Sequence, residues 1–204
     1  MTDAAYAPAA PLAHHDPNIG TTGLDHRKMG MWIFLGSDCM FFGSLIGTYL
    51  AYKGKSLSGP TPAEMFNIPL TSVSAFVLLM SSVWMVLALN YIGQNDMKWG
   101  KFWLLMTALF GAWFVGNQVY EFNEFVHEGL TLKTSLFGST FFTLTGFHGA
   151  HVTGGVIWLL GLWILALRGK LDSRDAIKVE IAGLYWHFVD IVWIVLFTII
   201  YLIP

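Results

Sequence analysis

Leu136–Leu167 reads LFGSTFFTLTGFHGAHVTGGVIWLLGLWILAL, a run of 32 residues without one Asp, Glu, Lys or Arg. As a helix rising about 1.5 Å per residue it would be ~48 Å long, against a hydrocarbon core of ~30 Å, so it must tilt or emerge beyond the lipid. Four further apolar stretches flank it: Met29–Tyr52, Pro69–Ile92, Lys101–Phe122 and Lys178–Ile203. The predicted fold class is therefore all-α integral membrane, with five transmembrane helices. Residues 1–25 form a polar, Ala/Pro-rich N-terminal tail, and residues 26–204 form the five-helix domain. The tail lacks the basic start, apolar run and small-residue cleavage site of a secretory signal.

The whole chain fits this reading. It has 204 residues with a mean hydropathy of +0.58; 55% are hydrophobic and only 12% charged, about half the charge of a typical soluble domain. A net charge of −2 excludes the basic footprint of a nucleic-acid binder. The single cysteine, Cys39, excludes an internal disulfide and a Cys-based zinc or iron–sulfur site. Any metal would have to rest on the seven histidines and the carboxylates. Connections carry turn chemistry: Lys53–Pro62 is rich in Gly, Ser and Pro, Gly93–Asp96 is a short polar turn, and Arg168–Asp175 is a charged hairpin. Glu121–Ser135 is acidic and aromatic and is expected at the interface. No internal repeat is present, against transporters built from duplicated halves.

Orientation follows from lysine and arginine. Arg27, Lys28, Lys98, Lys101, Arg168, Lys170, Arg174 and Lys178 fall on one side, and Lys53, Lys55 and Lys133 on the other. That imbalance predicts a cytoplasmic N-terminus and an external C-terminus. Glu64, Glu121, Glu124 and Glu128 fall on the outer side, which leaves the reading unchanged because the rule counts positive charge.

An ionisable side chain at bilayer depth costs at least ~2.5 kcal/mol, so Asp38, Asp190, His148, His151 and His187 need a reason to be there. Asp38, Asp190, His148 and His151 lie at similar mid-membrane depth by residue count. His148 and His151 share one helical face, as do His187 and Asp190. Three readings stay open: polar glue between helices, a proton-conducting or proton-storing site, and metal or heme ligation by His148 and His151. Gly36, Gly43 and Gly47, and then Gly146, Ala150 and Gly154, form small-residue stripes that allow backbones to approach. Trp32, Trp99, Trp103 and Trp113 are expected interfacial anchors. Arg168 and Lys170 are candidate lipid-headgroup contacts.

The runs FFTLTGFHGAHVTGG (Phe141–Gly155) and LYWHFVDIVWIVLFTIIYL (Leu184–Leu202) resemble the two signature helices of subunit III of the heme-copper terminal oxidases. MGMWIFLGSDCMFFGSL (Met29–Leu45), FNIPLTSVSAFVLLMSS (Phe66–Ser82) and GNQVYEFNEFVHEG (Gly116–Gly129) extend the resemblance over everything after about residue 24. The five-span form is similar to bacterial versions that lack two extra N-terminal helices. The resemblance implies a bacterial cytoplasmic membrane and a place beside subunits I and II, which hold the heme and copper. It implies no catalytic residue, metal or redox centre in this chain, and support of subunit I stability and proton uptake. It also implies bound phospholipid in a V-shaped cleft, with the first two spans as one arm and the last three as the other.

Carried over by residue, Asp38 stands where the family commonly has an intramembrane glutamate that reacts with hydrophobic carbodiimide, one methylene longer. It is the proton-linked acid of this reading. Glu121 with Phe122 matches a Glu-Tyr pair, losing the phenol. His148, His151, Glu180, Tyr185, Trp186, His187 and Asp190 match the family pattern, and Glu121, His148, His151, Glu180, His187 and Asp190 are expected to be buried. The function implied is an accessory subunit of a proton-pumping, oxygen-reducing oxidase, with cytochrome c favoured over quinol as donor. Asp38-Cys39 resembles quinol-oxidising relatives and leans the other way; an accessory subunit of a nitric-oxide reductase is a further alternative. A reading of a different class is an independent proton or ion channel centred on Asp38, His148 and Asp190.

Overall fold

The computed structural model describes residues 23, 25–53, 68–132 and 135–203. Nearly all of the expected tail, most of the Lys53–Pro62 turn, and Lys55, Glu64 and Lys133 lie outside them. The regular elements among the described residues are helical: α1 (His26–Tyr52), α2 (Ile68–Gly93), α3 (Met97–His127), α4 (Leu136–Leu167), a 3₁₀ turn (Ser173–Asp175) and α5 (Ala176–Phe197), which runs on into a π turn (Thr198–Leu202). Five helical stretches are long and apolar enough to cross a membrane.

Their ends follow local chemistry. The Asp25 carboxylate caps α1 by accepting from Arg27 N at 2.8 Å, which starts the helix three residues before the span expected from hydropathy. The Arg27 guanidinium also bonds Asp25 and helps hold its carboxyl below the usual carboxylate range. Ser135 caps α4 through Gly138 N at 2.9 Å, and α4 keeps the bounds expected for it. Asn95, Gly129 and Gly169 have positive φ. Each closes a helix with paired 6→1 and 5→2 bonds, as Leu130 N to Phe125 O and Gly129 N to Val126 O show after α3.

The main correction concerns α3. It starts four residues before Lys101, capped by Asp96, and continues five past Phe122 to His127. Glu121 therefore lies well inside the helix end and is buried, 9% exposed, and residues 123–127 of the stretch expected at the interface are helical. Hydropathy ended the span at Phe122 because Asn123, Glu124 and His127 beyond it lower the average. A helix continues as long as its backbone bonds and buried face continue.

α2 and α3 make an antiparallel hairpin through the turn at 94–96, and α3 packs in turn on α4. α5 touches α1, α2 and α4. α1 docks on α4 and α5 instead of pairing with α2, so these contacts do not confirm arms of two and three helices. The outward faces carry Ile33, Met40, Phe76, Val119, Ile157 and Ile191, each more than half exposed. Such surfaces suit lipid or partner helices and would aggregate in water.

The glycines also differ from expectation. A Cβ placed on Gly36, Gly43, Gly47 or Gly146 would meet nothing within 4 Å, so those stripes face outward. Close approach occurs at Gly111 and Gly155, which flank the Trp186 indole; a Cβ on Gly155 would fall 2.8 Å from Trp186 Cζ3. Trp186 Nε1 donates to Ser81 Oγ at 3.0 Å, and Ser81 donates to Leu78 O, so the ring is both enclosed and satisfied.

Candidate functional site

In α1 the positions 31, 35, 38, 42, 45 and 49 alternate by four and three, the spacing of one helix face. Met31, Leu35, Phe42 and Tyr49 are buried there and Leu45 packs against the core. Asp38 is the one acid in this seam, which turns it toward α4. Its Oδ2 lies 3.5 Å from His151 Nε2, with side chains 13% and 21% exposed. His151 Nδ1 lies 2.7 Å from Phe147 O, and because a carbonyl only accepts, Nδ1 carries the hydrogen. Nε2 thus faces the carboxylate within ion-pair range, while Asp38 Oδ2 is buried without a hydrogen bond among the described residues. Tyr185 OH donates to His151 O at 2.9 Å, and the Phe42 ring meets the imidazole edge-on at 5.0 Å.

His148, one turn along α4, is fully buried in an aromatic cage. Its ring stacks on Trp193 at 5.0 Å and meets Phe114 edge-on at 6.1 Å. Neither ring nitrogen has a hydrogen-bond partner among the described residues. Asp190 is 3% exposed and both its oxygens are likewise unpartnered. Ser82 lies near it, but the Ser82 hydroxyl is committed to His187 Nδ1 at 2.5 Å. The polar cluster suggested by spacing thus divides: Asp38 meets His151, His187 meets Ser82, and no hydrogen bond or ion pair joins His148 or Asp190 to them.

A second polar group lies near the other end of α3. Glu121 Oε1 accepts from Thr71 Oγ1 at 2.8 Å and Tyr201 OH at 3.3 Å, joining α2, α3 and the π turn. Gln118, one turn back on the same face, donates to Thr145 O at 2.8 Å. Thr71, Gln118 and Tyr201 are absent from the sequence reading, although the i, i+3 spacing of Gln118 and Glu121 signals a shared face.

Glu180, expected to be buried, is 35% exposed and pairs with Lys28 Nζ at 2.5 Å. His151 and His187 are half-buried. Arg168 and Lys170 are exposed in the turn that ends α4. Among the described residues, no three or more His, Cys, Asp or Glu side chains are grouped to hold a metal ion.

This helical order, with its two histidines on α4 and Trp-His-Phe-Val-Asp on α5, has known counterparts. The family described as cytochrome c oxidase subunit III matches residues 9–203. The chain belongs to that family. Cytochrome c oxidase subunit 3 of Bacillus sp. (strain PS3) is 43% identical over 177 residues, covering 87% of this chain and 86% of that protein. Quinol oxidase subunit 3 of Bacillus subtilis (strain 168) is 40% identical over 174 residues, 85% of each. Cytochrome c oxidase subunit 3 of the same strain is 39% identical over 178 residues, 87% of this chain and 86% of that one. The chain is thus a subunit III of the heme-copper oxidase kind, part of an oxidoreductase complex.

Proposed function

We propose that this chain is the accessory subunit III of a proton-pumping aerobic oxidase, with no redox centre of its own, which steadies subunit I and supports its proton uptake. The observation that carries the reading is the family match over residues 9–203. In this reading heme and copper sit in subunits I and II, phospholipid is bound at the subunit's surface, and the chain lies in a bacterial cytoplasmic membrane. Its N-terminus is inside and its C-terminus outside, on the lysine and arginine imbalance.

The residues do mechanical and protonic work. Lys28 with Glu180, Asp38 with His151, and Lys53 with the carbonyls of Ile199 and Ile203 fasten α1 to the rest of the bundle at three depths. Asp38, the proton-linked acid of this reading, faces His151 within ion-pair range. The glue reading suits the bonded residues Glu121, Gln118 and His187.

Cytochrome c is the favoured donor, with support from the relative at 43% identity. Quinol is the second reading, favoured by Asp38-Cys39 and by the relative at 40%. Turnover of the purified complex with each reduced donor, together with assay of the dinuclear copper centre, separates them. Copper with cytochrome c turnover supports the first, and quinol turnover without that copper supports the second. Asp38→Ala should leave the heme spectrum intact and alter proton uptake or turnover lifetime; loss of heme absorbance in an assembled complex would contradict this division of labour.

A further inference from the structure

The described cations fall into two groups. Arg27 pairs with Asp25, Lys28 with Glu180 and Lys178 with Asp175, while Lys53 binds carbonyl oxygens at the end of α5. Lys98, Lys101, Arg168 and Lys170 have no carboxylate within ion-pair distance among the described residues. Lys98 and Lys101 lie in the first turns of α3, and Arg168 and Lys170 in the turn that ends α4.

A groove of about 490 Å³ opens beside the start of α3, lined by Lys98, Trp99, Lys101, Phe102, Leu105 and Trp163. Its two ammonium groups stand at the end of the spans, and its apolar lining runs inward along α3 and α4. Trp99 and Phe102 are nearly half exposed there, meeting edge-on at 5.7 Å. Arg168 and Lys170 follow Trp163 by five and seven residues, just past the end of α4.

We propose that this groove binds one anionic phospholipid, its phosphate between Lys98 and Lys101 and an acyl chain along Phe102, Leu105 and Trp163. The inference rests on the reading of the chain as a multi-pass subunit with this end in the cytoplasmic leaflet, where anionic lipids concentrate. Charge complementarity selects the occupant. Lys98 and Lys101, without carboxylate partners, repel each other and a basic protein segment, whereas a lipid phosphate neutralises them. The lining beneath is too apolar for a small hydrated anion to gain by entering it.

The test uses the whole complex in bilayer nanodiscs with photoreactive phosphatidylglycerol or phosphatidylcholine, the reactive group on the acyl chain, followed by peptide mapping. The expected result is phosphatidylglycerol labelling at Phe102, Leu105 or Trp163, displaced by unlabelled phosphatidylglycerol but not by excess inorganic phosphate. Lys98→Gln with Lys101→Gln should lower that labelling on the order of tenfold or more, while Lys28→Gln leaves it unchanged. Equal labelling by phosphatidylcholine, displacement by phosphate alone, or retention of labelling in the double variant would overturn the proposal. So would a structure of the complex with a partner helix in the groove. Subunit ratio and heme absorbance are read in every sample, so failure to form an oxidase complex, which would contradict the function proposed above, is distinguished from failure of the lipid site. The wild-type labelling decides the question even where the double variant does not assemble.

Discussion

α1 and α5 are both long apolar helices, yet the bundle holds them differently. Half of the most apolar window of α5 is buried, compared with 17% for α1. α5 is embedded through large side chains: Trp186 between Gly111 and Gly155, Trp193 against His148 and Phe114, and Leu196 fully enclosed. α1 buries only four residues and depends on polar contacts at its two ends and its middle. In a bilayer, apolar side chains gain little by leaving lipid for protein, so close packing and interhelical polar contacts decide attachment. α5 is thus fixed by shape, and α1 by a few removable contacts, with its glycine stripe turned outward.

The largest effect that would follow from this contrast is at the α5 wedge. Trp186→Ala removes the ring and its hydrogen bond to Ser81; it should lower stability on the order of 3 kcal/mol, read as earlier thermal loss of this subunit from the solubilised complex. Unchanged retention would show that the indole is not a keystone. Gly155→Val forces a side chain against that indole and should cost about 1–3 kcal/mol. The matched substitution on α1, Gly43→Val, puts its Cβ where nothing lies within 4 Å and should leave the fold intact, as judged by helicity and melting. Equal damage from both would erase the contrast.

Smaller effects belong to the fasteners of α1. Asp38→Asn and His151→Gln, combined in a double-mutant cycle on subunit retention, should show a coupling of about 0.5–1.5 kcal/mol, the range of polar contacts measured between membrane helices. Zero coupling would make the 3.5 Å approach incidental. Lys28→Ala should cost under about 1 kcal/mol and matter less as salt rises, because its partner Glu180 is partly exposed. A large, salt-independent loss would point to an additional role for that pair.

Much of this architecture was legible from residue order. Hydropathy found all five spans and gave the bounds of α4 without error, since Ser135 and Gly169 mark its ends. It cut α3 short at Phe122 because Asn123, Glu124 and His127 lower the average; the helix runs on with those side chains exposed and Phe125 buried. The face of a small-residue stripe was not legible either. Gly43 and Gly155 look alike in sequence, and only the position of Trp186 separates them. For the polar residues, counting along each span gave Asp38, His148, His151 and Asp190 a similar depth but did not give partners. His148 and Asp190 share depth with His151, yet rotation of each helix sends them to different neighbours.

The central claim is that this chain works within an oxidase whose redox chemistry belongs to its neighbours. Affinity purification through a tag on this chain, from its native membrane in mild detergent, tests it most directly by subunit content, heme spectrum and metal analysis. The account predicts recovery with a heme- and copper-bearing subunit I, with no iron or copper left on the chain after it is separated. A chain that purifies alone, or retains stoichiometric metal once separated, would contradict it.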